Sequence, residues 1–72
     1  METIKISTPF IKLDQLLKFA GLADSGGVAK AWILDGLVKV NGNVALERGK
    51  KIVSGDVVQV DLDGDQRIMK VE

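Results

Sequence analysis

The spacing of apolar residues changes from a strand period to a helical period in the first third of the chain. Residues 3–7 alternate polar and apolar side chains, with isoleucine at positions 4 and 6, which predicts a half-buried strand. Thr8 and Pro9 interrupt this strand. Leucine or alanine then recurs at positions 13, 16, 17 and 20, and Gly21 supplies a stop. We expect a helix over residues 13–20 that is too short to persist without packing.

A second helical pattern follows over residues 28–35. Asp24 or Ser25 can cap it, a glycine pair at 26 and 27 opens it, and Gly36 ends it. Ala29, a tryptophan at position 32 and an isoleucine at position 33 share one face, which we expect to meet the first helix. Lys30 lies about 100° around the helix from Ala29 and is predicted to face solvent.

The second half of the chain returns to strand periodicity. Residues 38–40 alternate around a lysine, and the Asn-Gly pair at 41 and 42 predicts a two-residue hairpin turn, with a return strand over 44–46. The ERGKK segment at 47–51 is predicted to be a loop or a strand end in solvent. Strands are expected at 57–62 and, as an edge strand, at 67–71, separated by a turn at 63–65. The predicted fold is therefore α+β, with two short packed helices on one face of a small antiparallel sheet.

Length and composition limit the possible functions. The 72 residues allow one domain over 1–72, and 46% hydrophobic with 28% charged residues is typical of a globular chain. No apolar run approaches the roughly 20 residues of a membrane span, no cationic leader is visible, and cysteine is absent. We expect a cytoplasmic protein without a membrane partner. Without His or Cys, common catalytic bases, thiol nucleophiles and zinc sites are lacking, so we expect no enzyme, no cofactor and no small-molecule substrate.

The charges sum to zero but are segregated along the chain. Residues 28–55 carry five bases against two acids, a net charge of +3, whereas residues 56–66 carry four aspartates and no base. A surface polarised in this way can attract a polyanion to one side.

The ordered motifs closely resemble the S-four RNA-binding domain, the alpha-L RNA-binding motif, over residues 12–60. In order, the matching residues are Lys12-Leu13-Asp14, Gly21-Leu22, Ser25, Ala29-Lys30, Gly36, Lys39-Val40-Asn41-Gly42 and Gly55-Asp56. The glycine pair and the basic loop are similar to the stand-alone bacterial YbcJ/YaaA-like branch. The resemblance implies cytoplasmic, non-catalytic binding of structured RNA, in particular ribosomal RNA, with a role in ribosome assembly or translation. Many members of the family carry bases where this chain has Gly26 and Ala31, so its second helix presents fewer charges.

The candidate RNA-binding residues follow from charge and from the matched positions. Phosphate contacts are expected from Lys30, Lys39, Arg48, Lys50 and Lys51. The open amides at Gly26 and Gly27, next to Ser25, either seat a phosphate or only allow a tight turn between the helices. Asn41 is included, although the turn alone accounts for it. Lys12 is also included, although a solvated helix face is the better account of it.

Three other features have simpler explanations. The aromatic residues Phe10, Phe19 and Trp32 are expected in the core rather than stacked on bases. Residues 61–72 match a calcium loop in part but lack its glycine and its exit helix, so we expect an acidic hairpin turn. The alternative function is a protein-interaction module in which the acidic segment 56–65 meets a basic face. We expect a monomer if RNA is the partner.

Overall fold

Seven strands and two helices are present in the computed structural model, which describes residues 1–72. Strand β1 (Glu2–Ile4) and strand β2 (Ile11–Lys12) precede helix α1 (Leu13–Phe19) and helix α2 (Gly26–Leu34). The remaining strands are β3 (Val38–Val40), β4 (Asn43–Val44), β5 (Lys51–Ile52), β6 (Val57–Leu62) and β7 (Asp65–Val71). Neither helix is long and apolar enough to cross a membrane.

The strands form one sheet of five and one of two. The larger sheet has the order β1-β7-β6-β3-β4, and the smaller sheet pairs β2 with β5. The predicted fold class is confirmed, with one difference: β1 runs parallel to β7, so the sheet is mixed. Strand β7 is therefore an interior strand and not the expected edge strand. Backbone bonds from Ile6 N to Glu72 O and from Glu72 N to Ile4 O, both 2.8 Å, extend this pairing.

Both helices pack against one face of the larger sheet. Alternate residues of β3, β6 and β7 are buried against them: Val38, Val40, Val58, Val60, Met69 and Val71. The helices contribute Leu13, Leu16, Leu17, Ala29 and Ile33 to the same cluster. The strand period of two leaves the other face of the sheet open to solvent.

Two hairpin turns use positive φ angles. Asn41 and Gly42 have φ of 52° and 85°, as the predicted Asn-Gly turn requires, and they join β3 to β4. Asp63 and Gly64 have φ of 40° and 88° and join β6 to β7. Residues 61–72, which match a calcium loop in part, therefore belong to an acidic hairpin.

The aromatic residues differ from the expected pattern. Trp32 is half-buried and packs against the core, but the predictions for Phe10 and Phe19 are wrong, because their exposed fractions are 39% and 64% and neither belongs to the core cluster. Phe19 is the last residue of α1 and lies off its leucine stripe. Phe10 precedes β2, where the alternation directs the neighbouring Ile11 toward the core instead.

Candidate functional site

The basic loop, residues 48–51, is bound directly to the start of α1. Leu13 N donates to Lys50 O at 2.9 Å, and Asp14 N donates to Arg48 O at 3.0 Å. The amides in the first turn of a helix have no acceptor inside the helix, and here these two carbonyls accept from them. The residue at the N-cap position, Lys12, makes no capping bond with its side chain. The loop is exposed to solvent, as predicted, but its backbone is held in place.

Lys12 and Lys51 face each other across the smaller sheet. They are register partners in the antiparallel β2–β5 pair, so their Cβ atoms are expected about 4.5–5.5 Å apart on the same face. The neighbouring pair, Ile11 and Ile52, faces the core. Lys12 lies at the end of a strand and not on the helix face expected from the sequence. The two like charges are brought together by the register, which is unfavourable unless an anion lies nearby.

An aromatic ring adjoins this lysine pair. The Lys51 Nζ lies 4.8 Å from the centroid of the Phe10 ring, within cation–π range. The Thr8 hydroxyl donates to the Phe10 carbonyl at 2.8 Å and fixes the turn that precedes β2. Phe10, which was expected in the core, thus lies beside a basic side chain instead. The signal that the sequence offers is the position of Phe10 two residues before Lys12, just ahead of β2.

The start of α2 has an open backbone. Ser25 Oγ accepts from Val28 N at 3.2 Å, which confirms Ser25 as the cap. A Cβ atom built on Gly26 would meet no other atom within 4 Å, and one on Gly27 would meet only Ser25 Oγ at 3.8 Å. Neither glycine has a positive φ. Close packing and backbone strain therefore do not account for the glycine pair.

Lys30 and Lys39 lie in different layers of the molecule. Lys30 is exposed on α2, whereas Lys39 is half-buried on the open face of the sheet, between Val44 on β4 and Gln59 on β6. The positive charge of Lys39 helps to hold the pKa of Asp61 below its ordinary value, after the larger effects of hydrogen bonds from Gln66 and Gln59. Lys39 therefore has an acidic neighbour, unlike the bases of the loop.

Asn41 connects two turns of the chain. Its Nδ2 donates to Asp56 Oδ1 at 3.0 Å, and its Oδ1 accepts from Val57 N at 2.9 Å. Asp56 Oδ2 in turn accepts from Val53 N at 2.9 Å. Both ends of the Asn41 amide are therefore engaged within the protein. The Asn-Gly and Gly-Asp motifs are parts of a single hydrogen-bonded unit.

A shallow groove lies between the β3–β4 hairpin and the basic loop. Its volume is about 330 Å³, and its lining includes Asn43, Leu46 and Lys50. No group of three or more His, Cys, Asp or Glu side chains is arranged to hold a metal ion. The candidate site thus consists of an exposed basic surface. The structure groups Lys12, Arg48, Lys50 and Lys51 at the start of α1, whereas Lys30 lies on α2 and Lys39 on β3.

A helix pair on a mixed sheet, with a turn-linked hairpin and a basic loop at the first helix, defines a small α+β domain with a cationic surface. The sequence profile of the S4 domain matches residues 4–69, so this chain belongs to the S4 domain family that its motifs resemble. It is 38% identical over 66 residues to the "Probable ribosome maturation protein RlbA" of Bacillus subtilis, which covers 92% of this chain and 93% of that protein.

Two further similarities involve one Escherichia coli protein. The chain is 44% identical over 50 residues to the "Putative RNA-binding protein YbcJ", which covers 69% of this chain and 71% of the relative. The solution structure of YbcJ superposes with a TM-score of 0.64 at 35% sequence identity, over 97% of this chain and 87% of that one. That structure is described as revealing an αL motif involved in RNA binding.

Proposed function

We propose that this protein binds structured RNA through a basic face and catalyses no reaction. The observation that carries the proposal is the grouping of Lys12, Arg48, Lys50 and Lys51 at the start of α1, on a backbone fixed by two hydrogen bonds. The names of the relatives, one an RNA-binding protein and one a ribosome maturation protein, support RNA as the ligand. By the same analogy, we propose ribosomal RNA as the target, with a role in ribosome assembly or translation in the cytoplasm.

The proposed face has a strong part and a weaker part. The basic loop and Lys12 provide the main phosphate contacts, because they lie close together and no carboxylate forms an ion pair with them. Lys30 and the amides of Gly26 and Gly27 next to Ser25 extend the contact along α2. Lys39 contributes less, because it lies on the open sheet face beside Asp61. Asn41 acts indirectly by holding the hairpin. The face belongs to a single domain over residues 1–72, which acts as a monomer.

The test is charge reversal in the basic loop. Binding of a folded ribosomal RNA fragment is measured by fluorescence anisotropy at several salt concentrations for the double variant Lys50→Glu/Lys51→Glu. Each lost phosphate contact reduces the slope of log affinity against log salt by about 0.9, so we expect weaker binding and a slope reduced by about two.

The matched control changes the net charge equally at other sites. Lys5→Glu/Lys70→Glu alters two exposed lysines outside the basic loop. We expect it to retain most of the salt dependence, because the proposed contacts are local. An unchanged affinity in a folded Lys50→Glu/Lys51→Glu variant would contradict the proposal.

The alternative is a protein-interaction module in which acidic residues 56–65 meet the basic face of a partner. Two of the four aspartates already accept hydrogen bonds within the chain: Asp56 from Asn41 and Val53, and Asp61 from Gln59 and Gln66. The acidic hairpin therefore has fewer free carboxylates than the sequence suggests, and we rank RNA binding first. Light scattering on the RNA-free protein distinguishes the two functions, because the alternative requires an oligomer or a protein complex that dissociates with salt.

A further inference from the structure

Phe10 is an exposed aromatic residue beside Lys51, which in turn pairs with Lys12. The residue is 39% exposed and lies outside the core cluster. Phe10 immediately precedes β2, the strand that carries Lys12. Lys51 lies opposite Lys12 in the register and reaches diagonally to the Phe10 ring. We call Phe10, Lys12 and Lys51 the aromatic platform.

The backbone that carries the ring is held in place before any ligand binds. The hydroxyl of Thr8 holds the Phe10 carbonyl, and Pro9 restricts the intervening backbone. On the other side, Ile11 pairs with the fully buried Ile52. A ligand that stacks on Phe10 therefore pays little conformational entropy for ordering the backbone that carries the ring.

The two lysines lack an anionic partner. The single ion pair of the protein joins Glu2 to Arg67, and no carboxylate lies within salt-bridge distance of Lys12 or Lys51. In the free protein, the ammonium of Lys51 rests over the Phe10 ring. A phosphate between the two lysines would neutralise their repulsion, and Arg48 and Lys50 add positive charge nearby.

We propose that the aromatic platform binds one unpaired nucleotide of an RNA. Its phosphate lies between Lys12 and Lys51, and its base stacks on the Phe10 ring. Lys51 moves from the ring to the phosphate, which frees ring surface for the base. Stacking of a base on an aromatic side chain is generally stronger than an exposed cation–π contact, so this exchange is favourable. The inference rests on the proposed RNA binding and adds that the target has a bulged or looped-out nucleotide.

The test compares two RNA hairpins of equal length, one with a fully paired stem and one with a single unpaired nucleotide in the stem. We expect the wild-type protein to prefer the bulged hairpin in fluorescence anisotropy. Phe10→Leu, which keeps an apolar side chain but removes the ring, should weaken binding of the bulged hairpin by roughly tenfold. It should leave binding of the paired hairpin and the salt slope unchanged. Lys51→Gln should reduce the slope by about one for both hairpins.

Two variants serve as controls. Phe19→Leu removes the other exposed phenylalanine, which has no lysine over its ring, and it should keep the wild-type preference. Phe10→Trp retains an aromatic ring and should also keep the preference for the bulged hairpin. Thermal unfolding verifies that each variant is folded.

The possible failures are distinguishable. Equal wild-type affinity for both hairpins, or an unchanged preference in Phe10→Leu, would overturn the nucleotide site while the basic loop stayed supported by its own charge reversal. The wild-type comparison decides this even if a variant fails to fold. Absence of salt-dependent binding to either hairpin would overturn the proposed function itself.

Discussion

Asn41 illustrates what a local sequence pattern predicts and what it omits. The Asn-Gly pair predicted the turn, and the positive φ of 52° at Asn41 confirms the backbone reason for that residue. The two side-chain bonds to Asp56 and Val57 were not predictable, because they join positions 15 and 16 residues apart. Asn41, whose residue type is explained by the Asn-Gly turn, thus also stabilises the turn that contains Asp56.

Substitution at Asn41 should separate these two contributions. Asn41→Gly tolerates the positive φ but loses both side-chain bonds, and we expect it to lower the free energy of unfolding by about 1–2 kcal/mol. Asn41→Ala should cost about 1 kcal/mol more, because an alanine is strained in the left-handed region. Urea denaturation measures both variants.

The control for this series is Asn43→Ala. Asn43 is exposed and makes no side-chain hydrogen bond, so its replacement should stay within about 0.5 kcal/mol of wild type. Wild-type stability in Asn41→Gly would show that the bonds to Asp56 and Val57 contribute nothing.

At the scale of elements, α1 depends on a part of the chain that follows it by some 35 residues. The leucine spacing predicted the helix and its end almost to the residue, since it ends at Phe19 with Ala20 as its cap. The sequence did not reveal the cap at the start of α1, because carbonyl oxygens of Arg48 and Lys50 provide it. Backbone groups leave no signature in the residue types. The basic loop and the first helix therefore stabilise each other.

The Asp14 side chain provides a third acceptor, after the two loop carbonyls, for the amides at the start of α1. It is the single charged residue that is buried, and its Oδ1 accepts from Gln15 N at 2.8 Å. Asp14→Ala should lower the free energy of unfolding by about 1 kcal/mol through loss of this bond and of the favourable charge at the helix N-terminus.

Asp14→Asn is the matched variant for this prediction. It keeps an oxygen acceptor but removes the charge, so we expect it to lose less stability than Asp14→Ala in the same urea titration. Amide hydrogen exchange at Gln15, whose N–H loses its acceptor, should accelerate in the alanine variant. Equal stability of the alanine variant and wild type would exclude the capping role.

At the scale of the whole molecule, the element order predicted the α+β class, whereas the partner of the first strand was not predictable. Alternation identified a strand near residues 3–7, and the structure places β1 over Glu2–Ile4, parallel to β7. A three-residue strand carries too little pattern to specify its neighbour. The same limit applies to the candidate site, where the bases were predictable by type but their grouping depended on the β2–β5 register.

An ion pair links β1 to β7, and its contribution to stability should depend on pH. Arg67 donates from Nε and Nη2 to the two carboxylate oxygens of Glu2 at 2.7 and 2.6 Å, and this bidentate contact lowers the pKa of Glu2. The unfolded chain therefore binds more protons at acidic pH. The stabilisation is present above the ordinary pKa of glutamate and is lost as the pH falls through the lowered value.

The measurement is the thermal midpoint against pH for wild type and Glu2→Gln. The two curves should converge at low pH and separate as the pH rises above the ordinary glutamate range, with wild type more stable by a small margin because the pair is exposed. Asp61 also has a lowered pKa, but it titrates in both proteins and cancels in the difference. Parallel curves across the whole acid range would show that Glu2 is not the group responsible.

The interior position of β7 also determines the order in which the protein can fold during synthesis. The helices and the β3–β4 hairpin are formed from neighbouring residues and can assemble on a nascent chain. Strand β1 is translated first, yet it cannot pair until residues 65–71 have left the ribosome, and β6 meanwhile presents an unpaired edge. A chain stalled before residue 65 would therefore expose two unpaired strands to aggregation or proteolysis.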